Sequence, residues 1–234
     1  MEIKTYNVAN LFKGFGFMKR RASIDAIFAK RSMARSRDFV RAGIGRTRLR
    51  RALLDGRLQR LSRGVYTRAG QPPGDHWSLR EIAVRAPGAV VCLLSALAFH
   101  GVTTQQPHEV WIALEGTAWA PRAGNLRLHV LRFSGKAFSL GIETHQVEGV
   151  PIRVYGLART VADCFRMRNK IGLDVAMEAL RETLRSRKVT RDQVLQMARD
   201  LRVERVILPY MEMEAGAYIS GNLCLPSPGP FFRA

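Results

Sequence analysis

The first 70 residues carry 18 lysines and arginines against four acidic residues, a net charge of +14. Residues 71–234 carry 20 against 15. A solvated face mixes both signs, as the second stretch does. A folded segment with so much charge of one sign calls for a polyanionic partner. Nucleic acid fits better than an anionic membrane surface. Surface binding wants a long amphipathic helix with bulky apolar residues, and the helical stretches here are short.

The basic segment has an internal order. Ile24, Ile27 and Phe28 are spaced as one helical face within Ser23–Lys30. A second short helix is expected over Ser36–Ala42, with Ser36 as N-cap and Phe39 and Val40 facing inward. Gly43-Ile44-Gly45 then reads as a tight turn, since glycine tolerates positive φ. Arg46–Asp55 reads as a third helix stopped by Gly56. Leu49, Ala52 and Leu53 share its inner side, and Thr47, Arg48, Arg50 and Arg51 lie around the other. After Gly56 the period changes. Leu58 and Leu61, then Val65 and Tyr66, flank Ser62-Arg63-Gly64 as two short strands around a turn.

Helix, helix, glycine turn, basic helix and basic hairpin is the order of a winged helix-turn-helix. The expected DNA-binding residues are Arg46, Thr47, Arg48, Arg50 and Arg51 in the major groove, with Arg57, Arg60 and Arg63 on or beside the hairpin. Arginine pairs two ways with guanine or grips phosphate, and sequence does not say which arginine does which. A basic helical bundle that binds RNA is the alternative. Duplex DNA is favoured, because neither an RNP motif nor a GxxG loop occurs.

The expected organisation is an N-terminal extension over 1–19, the winged helix over 20–70, a Pro/Gly-rich linker over 71–76, a second domain over 77–212 and a loose tail over 213–234. The opening 21 residues lack the continuous apolar core of a secretory signal. The fold class expected is α+β: the winged helix, then a mixed α/β domain ending in helices. In that domain, 77–85 reads as a helix. Residues 89–100 read as a short strand running into a helix capped by Ser95. Strands are expected over 109–114, 126–133, 141–146 and 152–155. Helices follow over 157–167 and along the stripe Leu173, Ala176, Met177, Leu180 and Leu184. Thr190 and Gln193 fit a capping box, and 203–211 is helical or irregular, interrupted by Pro209.

At 47% apolar and 24% charged residues, the 234-residue chain can bury a core. No run of about 18 apolar residues occurs, so no membrane span is expected. Cys92, Cys164 and Cys224 lie far apart and form neither a CxxC site nor an even disulfide framework. That fits a reducing compartment, and the cytoplasm is expected.

The stretch 93–114, LLSALAFHGVTTQQPHEVWIAL, resembles the second domain of the AbiEi-type antitoxins. So do 154–165, VYGLARTVADCF, and 170–180, KIGLDVAMEAL. The basic segment, ending Arg63-Gly-Val-Tyr-Thr67, is similar to that family's N-terminal winged helix. The resemblance covers roughly residues 20–212. It implies the antitoxin of a type IV toxin–antitoxin pair, tied to abortive infection and phage defence. It further implies repression of the antitoxin's own promoter, at inverted repeats. The partner implied is a nucleotidyltransferase-like toxin, countered without a stable complex.

Enzyme motifs are sparse. There is no GxSxG, no GxxxxGK[ST] and no GxGxxG. A DNA-targeted, metal-dependent nuclease is the alternative function. Its candidate carboxylates are Glu109, Glu115 and Asp163, but no Glu-x-Lys follows them. His100, His108, His129 and His145 lack metal-ligand spacing and read as structural or surface residues. Asp163 is either a recognition carboxylate of the second domain or, as favoured, the partner of Arg166 on its own helix surface. Trp77, Trp111 and Trp119 read as core or interface residues rather than base-stacking platforms. No catalytic residue, metal or cofactor is expected.

Overall fold

A computed structural model describes residues 23–221, apart from residue 123. The expected N-terminal extension and the tail beyond 221 lie outside the described residues. The chain divides into two compact units, 1–72 and 73–234.

The first unit begins with α1 (Ile24–Phe28), whose N-cap Ser23 accepts a hydrogen bond from the Ala26 amide at 3.0 Å. Strand β1 (Met33–Arg35) leads into α2 (Ser36–Arg41) and α3 (Arg46–Leu54), followed by β2 (Leu58–Ser62) and β3 (Val65–Arg68). The three strands are antiparallel in the order β1-β3-β2. This is a winged helix. Between α2 and α3, Gly43 adopts φ +74°. There the Ile44 amide donates to Phe39 O and the Gly43 amide to Val40 O, a Schellman closure that carries Ile44 into the core. Gly56 closes α3 the same way, with the Arg57 amide donating to Ala52 O. Phe39 packs against Phe28 at 5.9 Å and Tyr66 at 5.5 Å between ring centres. Ile24, Ala34, Leu49, Ala52 and Leu58 complete this core.

Three local expectations are corrected here. Strand β1 was not foreseen, because three residues, Met-Ala-Arg, show no period of their own and are held by pairing with β3. Ser36 is the first helical residue rather than the cap, and the Asp38 carboxylate caps the helix by accepting from the Arg35 amide at 2.8 Å. Val40 faces solvent, 65% exposed, because the core beside α2 is filled by Phe39 and Ile44.

The second unit runs α4 (Trp77–Arg85), β4 (Val90–Val91), α5 (Leu93–His100), β5 (Val110–Glu115), β6 (Leu128–Phe133), α6 (Lys136–Ser139), β7 (Ile142–Val147) and β8 (Val150–Tyr155). Then come α7 (Leu157–Arg166), α8 (Arg168–Ile171), α9 (Leu173–Ser186), α10 (Arg191–Asp200) and α11 (Glu204–Gly221). The protein is therefore α+β. Its second sheet is mixed, in the order β6-β5-β4-β8-β7. β5 and β6 are parallel, as are β4 and β8, and the other two pairs are antiparallel. Eight of the ten residues of α7 are buried, so this helix lies inside the unit, against α5, α9 and α10.

Cys92, not Ser95, is the N-cap of α5. Ser95 instead serves β5 beyond the end of short β4: its hydroxyl accepts from the Trp111 amide at 2.9 Å and reaches Glu109 O at 3.5 Å. The capping box of α10 is present, with Thr190 and Gln193 exchanging hydrogen bonds of 2.9 and 3.2 Å. Pro209 does not interrupt α11, which runs through to Gly221. The expected loose tail from 213 therefore begins as helix. A proline six residues into a helix removes one N–H donor, and Ile207 and Met211, both fully buried, hold the helix on either side of it.

Candidate nucleic-acid interface

Helix α3 buries Leu49 and Ala52 and leaves Arg46, Thr47, Arg48, Arg50 and Arg51 exposed. Thr47, Arg50, Arg51 and Leu54 follow the i, i+3, i+4, i+7 spacing, so they form one outward stripe. Arg46 borders the stripe beside Arg50, and Arg48 borders it beside Arg51. The wing hairpin adds Arg57, Arg60 and Arg63, all exposed. All eight residues singled out in the sequence thus lie on the surface of one small unit.

Their surroundings differ. Arg57 pairs with Asp55 at 3.3 Å. The Arg60 Nε donates to Ser62 O at 3.3 Å, where the β2–β3 register shifts. Among the described residues no ion pair holds Arg46, Arg48, Arg50, Arg51 or Arg63, so their charge is uncompensated. The other carboxylates among the unit's described residues are engaged elsewhere: Asp25 by Arg68 at 3.3 Å and Asp38 by Arg31 at 3.5 Å. Burial first, and then the nearby Arg37, pull the Arg35 guanidinium below its ordinary value, with Asp38 opposing them.

Leu54 was missed by the sequence reading. It is 78% exposed at the C-terminal end of a cationic stripe, where no apolar neighbour covers it. The i+7 spacing from Thr47 was available in the sequence; its outward direction was not, since Leu53 is the neighbour that turns inward.

The second unit holds no comparable basic face among the sequence candidates. Asp163 is buried, and its partner is Arg159, one turn earlier, at 2.7 Å. The expected surface pair with Arg166 is therefore corrected. Arg166 is exposed and its guanidinium lies over the Phe133 ring at 5.5 Å. Arg159 is wholly buried, with further bonds to Ala137 O and Leu140 O, and sits 4.4 Å over the Tyr155 ring. Burial pushes the Asp163 carboxyl up, and Arg159 opposes that rise. Burial likewise pushes the thiols of Cys92 and Cys164 up, which makes both poor nucleophiles.

His100 closes α5, and its Nε2 bonds Tyr155 O at 2.8 Å. His145 bonds Glu143 at 3.0 Å, and His129 stacks on Trp111 at 3.7 Å with Glu109 3.6 Å away. His108 is exposed and Glu115 ends β5 on the surface. Glu109, Glu115 and Asp163 do not converge. Among the described residues no three histidine, cysteine or carboxylate groups gather where they would hold a metal ion. A cavity of about 400 Å³ lies beside the start of α7, lined by Glu143, Lys188, Gln193 and Asp200 among others. No helix among the described residues is long and apolar enough to cross a membrane.

The first unit is thus a basic winged helix and the second an α+β fold. Residues 23–69 match the family described as transcriptional regulator, AbiEi antitoxin. The match leaves outside it the stretches 93–114, 154–165 and 170–180, on which the resemblance to this family also rests. The crystal structure of RV2827C protein from Mycobacterium tuberculosis is similar in fold, with a TM-score of 0.50 and 15% identity. The likeness covers 70% of this chain and 65% of that one, so the chain spans about two-thirds of that protein's length. None of the curated proteins matches this chain.

Proposed function

We propose that the protein is a DNA-binding antitoxin of the cytoplasm that represses its own operon, with a nucleotidyltransferase-like toxin as functional partner. The family match over 23–69 supports the regulatory role. One observation carries the DNA reading: α3 presents Thr47, Arg50, Arg51 and Leu54 as a single stripe, and among the described residues Arg46, Arg48 and Arg63 make no ion pair either.

In the major groove, arginines of such a stripe meet guanine edges or phosphates. Leu54 and the Thr47 methyl offer the apolar contact that a thymine C5-methyl accepts. Arg57, Arg60 and Arg63 on the wing meet phosphates or the adjacent minor groove. The site read is duplex DNA at inverted repeats in the protein's own promoter. The second unit supplies the antitoxin activity of a type IV pair, countering the toxin without a stable complex, in defence against phage.

The experiment is a gel-shift titration against DNA just upstream of the gene, with competitor DNA, using the full chain and its Arg50→Ala/Arg51→Ala variant. Promoter-selective binding that the variant loses supports repression. Equal, weak binding to any DNA by both proteins refutes it. Co-expression with the neighbouring downstream gene tests antitoxicity, and growth arrest that this protein fails to relieve refutes that half.

A further inference from the structure

Strands β5 and β6 are parallel neighbours, so the chain between them must cross back along the sheet, and among its described residues it does so without a helix. Such a long connection needs its own fastenings, and arginines supply them. Arg132 Nη1 donates to Gly116 O at 2.7 Å and Ala118 O at 2.8 Å. Arg85 Nη1 donates to Arg122 O at 2.9 Å, and the Val110 amide donates to Arg127 O at 2.8 Å. The main chain is thus tied on both sides of Trp119.

The Trp119 ring itself is 96% exposed. The other two tryptophans are engaged: Trp111 stacks on His129, and Trp77 lies under Arg80 at 5.2 Å. A large ring held out on a fastened main chain costs apolar exposure and needs little further backbone ordering, which suits it to capture a partner. The charge around it chooses that partner. Residues 116–133 contain Arg122, Arg127 and Arg132 and no aspartate or glutamate. Arg132 is bonded to neutral carbonyls, so its charge stays uncancelled. Exposed Arg122 and Arg127 have no ion pair among the described residues.

We propose that this crossover is a second nucleic-acid contact, in which Trp119 stacks on an unpaired base and Arg122 and Arg127 hold the flanking phosphates. Both faces of a base inside a duplex are already covered, so a lone ring at a loop tip finds a free face only on a single strand. The site is separate from α3 and does not depend on the promoter reading.

The test uses the full chain, following tryptophan emission during titration with an oligo-dT 20-mer and with the matching oligo-rU. Stacking quenches Trp119. The Trp119→Ala variant should lose the quenching and bind the strand about 5- to 150-fold more weakly. Arg122→Ala/Arg127→Ala should flatten the salt dependence by about 1.4 in log–log slope, from about 0.7 per phosphate. Arg50→Ala/Arg51→Ala should keep the quenching, which separates this contact from the α3 stripe. Quenching by either strand supports the proposal, and the tighter of the two names DNA or RNA as its source. Trp119→Ala binding as tightly as the natural chain overturns it. So does self-association that Trp119→Ala abolishes, because the ring is then an interface between copies.

Discussion

Replacing Arg159 with methionine should be among the most damaging single changes in the second unit. The guanidinium is fully buried and serves four groups: the Asp163 carboxylate at 2.7 Å, Ala137 O at 2.7 Å, Leu140 O at 3.3 Å and the Tyr155 ring face at 4.4 Å. Methionine fills much of the volume but donates nothing. Asp163 is then a buried charge without a counterion, and breaking such a pair costs about 3–5 kcal/mol. Asp163→Leu should cost a similar amount by stranding Arg159. The Arg159→Met/Asp163→Leu double variant removes both charges and should recover most of the loss, because desolvation offsets much of a buried pair's attraction. The pH dependence has a definite sign. Without Arg159, burial is opposed only by the weaker pull of Arg166 and raises the Asp163 carboxyl further, so the folded state prefers the protonated form. The Arg159→Met penalty should therefore shrink below the ordinary carboxylate value of 3.8 and grow as pH rises toward neutral. Trp77, Trp111 and Trp119 all belong to the second unit, so urea titrations followed by their emission report this unit alone. Losses below about 1 kcal/mol for both single variants, or a double variant as unstable as the sum of the singles, would refute the reasoning.

On DNA, Arg50→Ala or Arg51→Ala should cost about 1–3 kcal/mol where the side chain reads a base, or lower the salt slope by about 0.9 where it holds a phosphate. If every arginine of α3 can be removed for less than about 0.5 kcal/mol, the groove assignment fails. Replacing operator thymines by deoxyuridine deletes single methyl groups. It should weaken the natural protein by about 0.8 kcal/mol per contact and weaken Leu54→Ala by one contact less, whereas equal losses exclude Leu54 from the groove. Burial first, and then His145 and Lys188, pull His100 below its ordinary 6.5, against the Tyr155 carbonyl and Glu143. Its folded state prefers the neutral ring, so stability is full above 6.5 and falls as pH drops below it. Urea midpoints at pH 7.5 and 5.5 should converge in His100→Gln relative to the natural chain, and an unchanged gap counts against this role.

Much of the first unit was legible from local rules. Spacing located α1, α3 and both hairpin strands, and Gly43 and Gly56 marked the Schellman closures that fix where α2 and α3 end. The eight candidate residues are exposed as their wheel and hairpin positions imply. What local rules missed shares one cause. Strand β1 exists only through its pairing with β3, and Val40 faces out only because Phe39 and Ile44 occupy the core beside it. Leu54 faces out for the same kind of reason, at the end of a helix whose inner side is already filled by Leu49 and Ala52.

The same division runs through the second unit. The capping box at Thr190 was readable because cap and amide are three residues apart on one chain. The partner of Asp163 was not. Arg159 and Arg166 both lie within reach on the same helix, and only the packing of α7 against its neighbours decides which of them is buried. Trp119 is another case: its residue type suits a core, yet the parallel β5–β6 crossover carries it outside. By itself the sequence determined where charge accumulates, which stretches repeat with helical or strand period, and where the chain must turn. These depend on neighbours along the chain. Which face of each element is covered, which charge is paired and which ring is left in water were decided by tertiary structure, because they depend on what other elements bring against them.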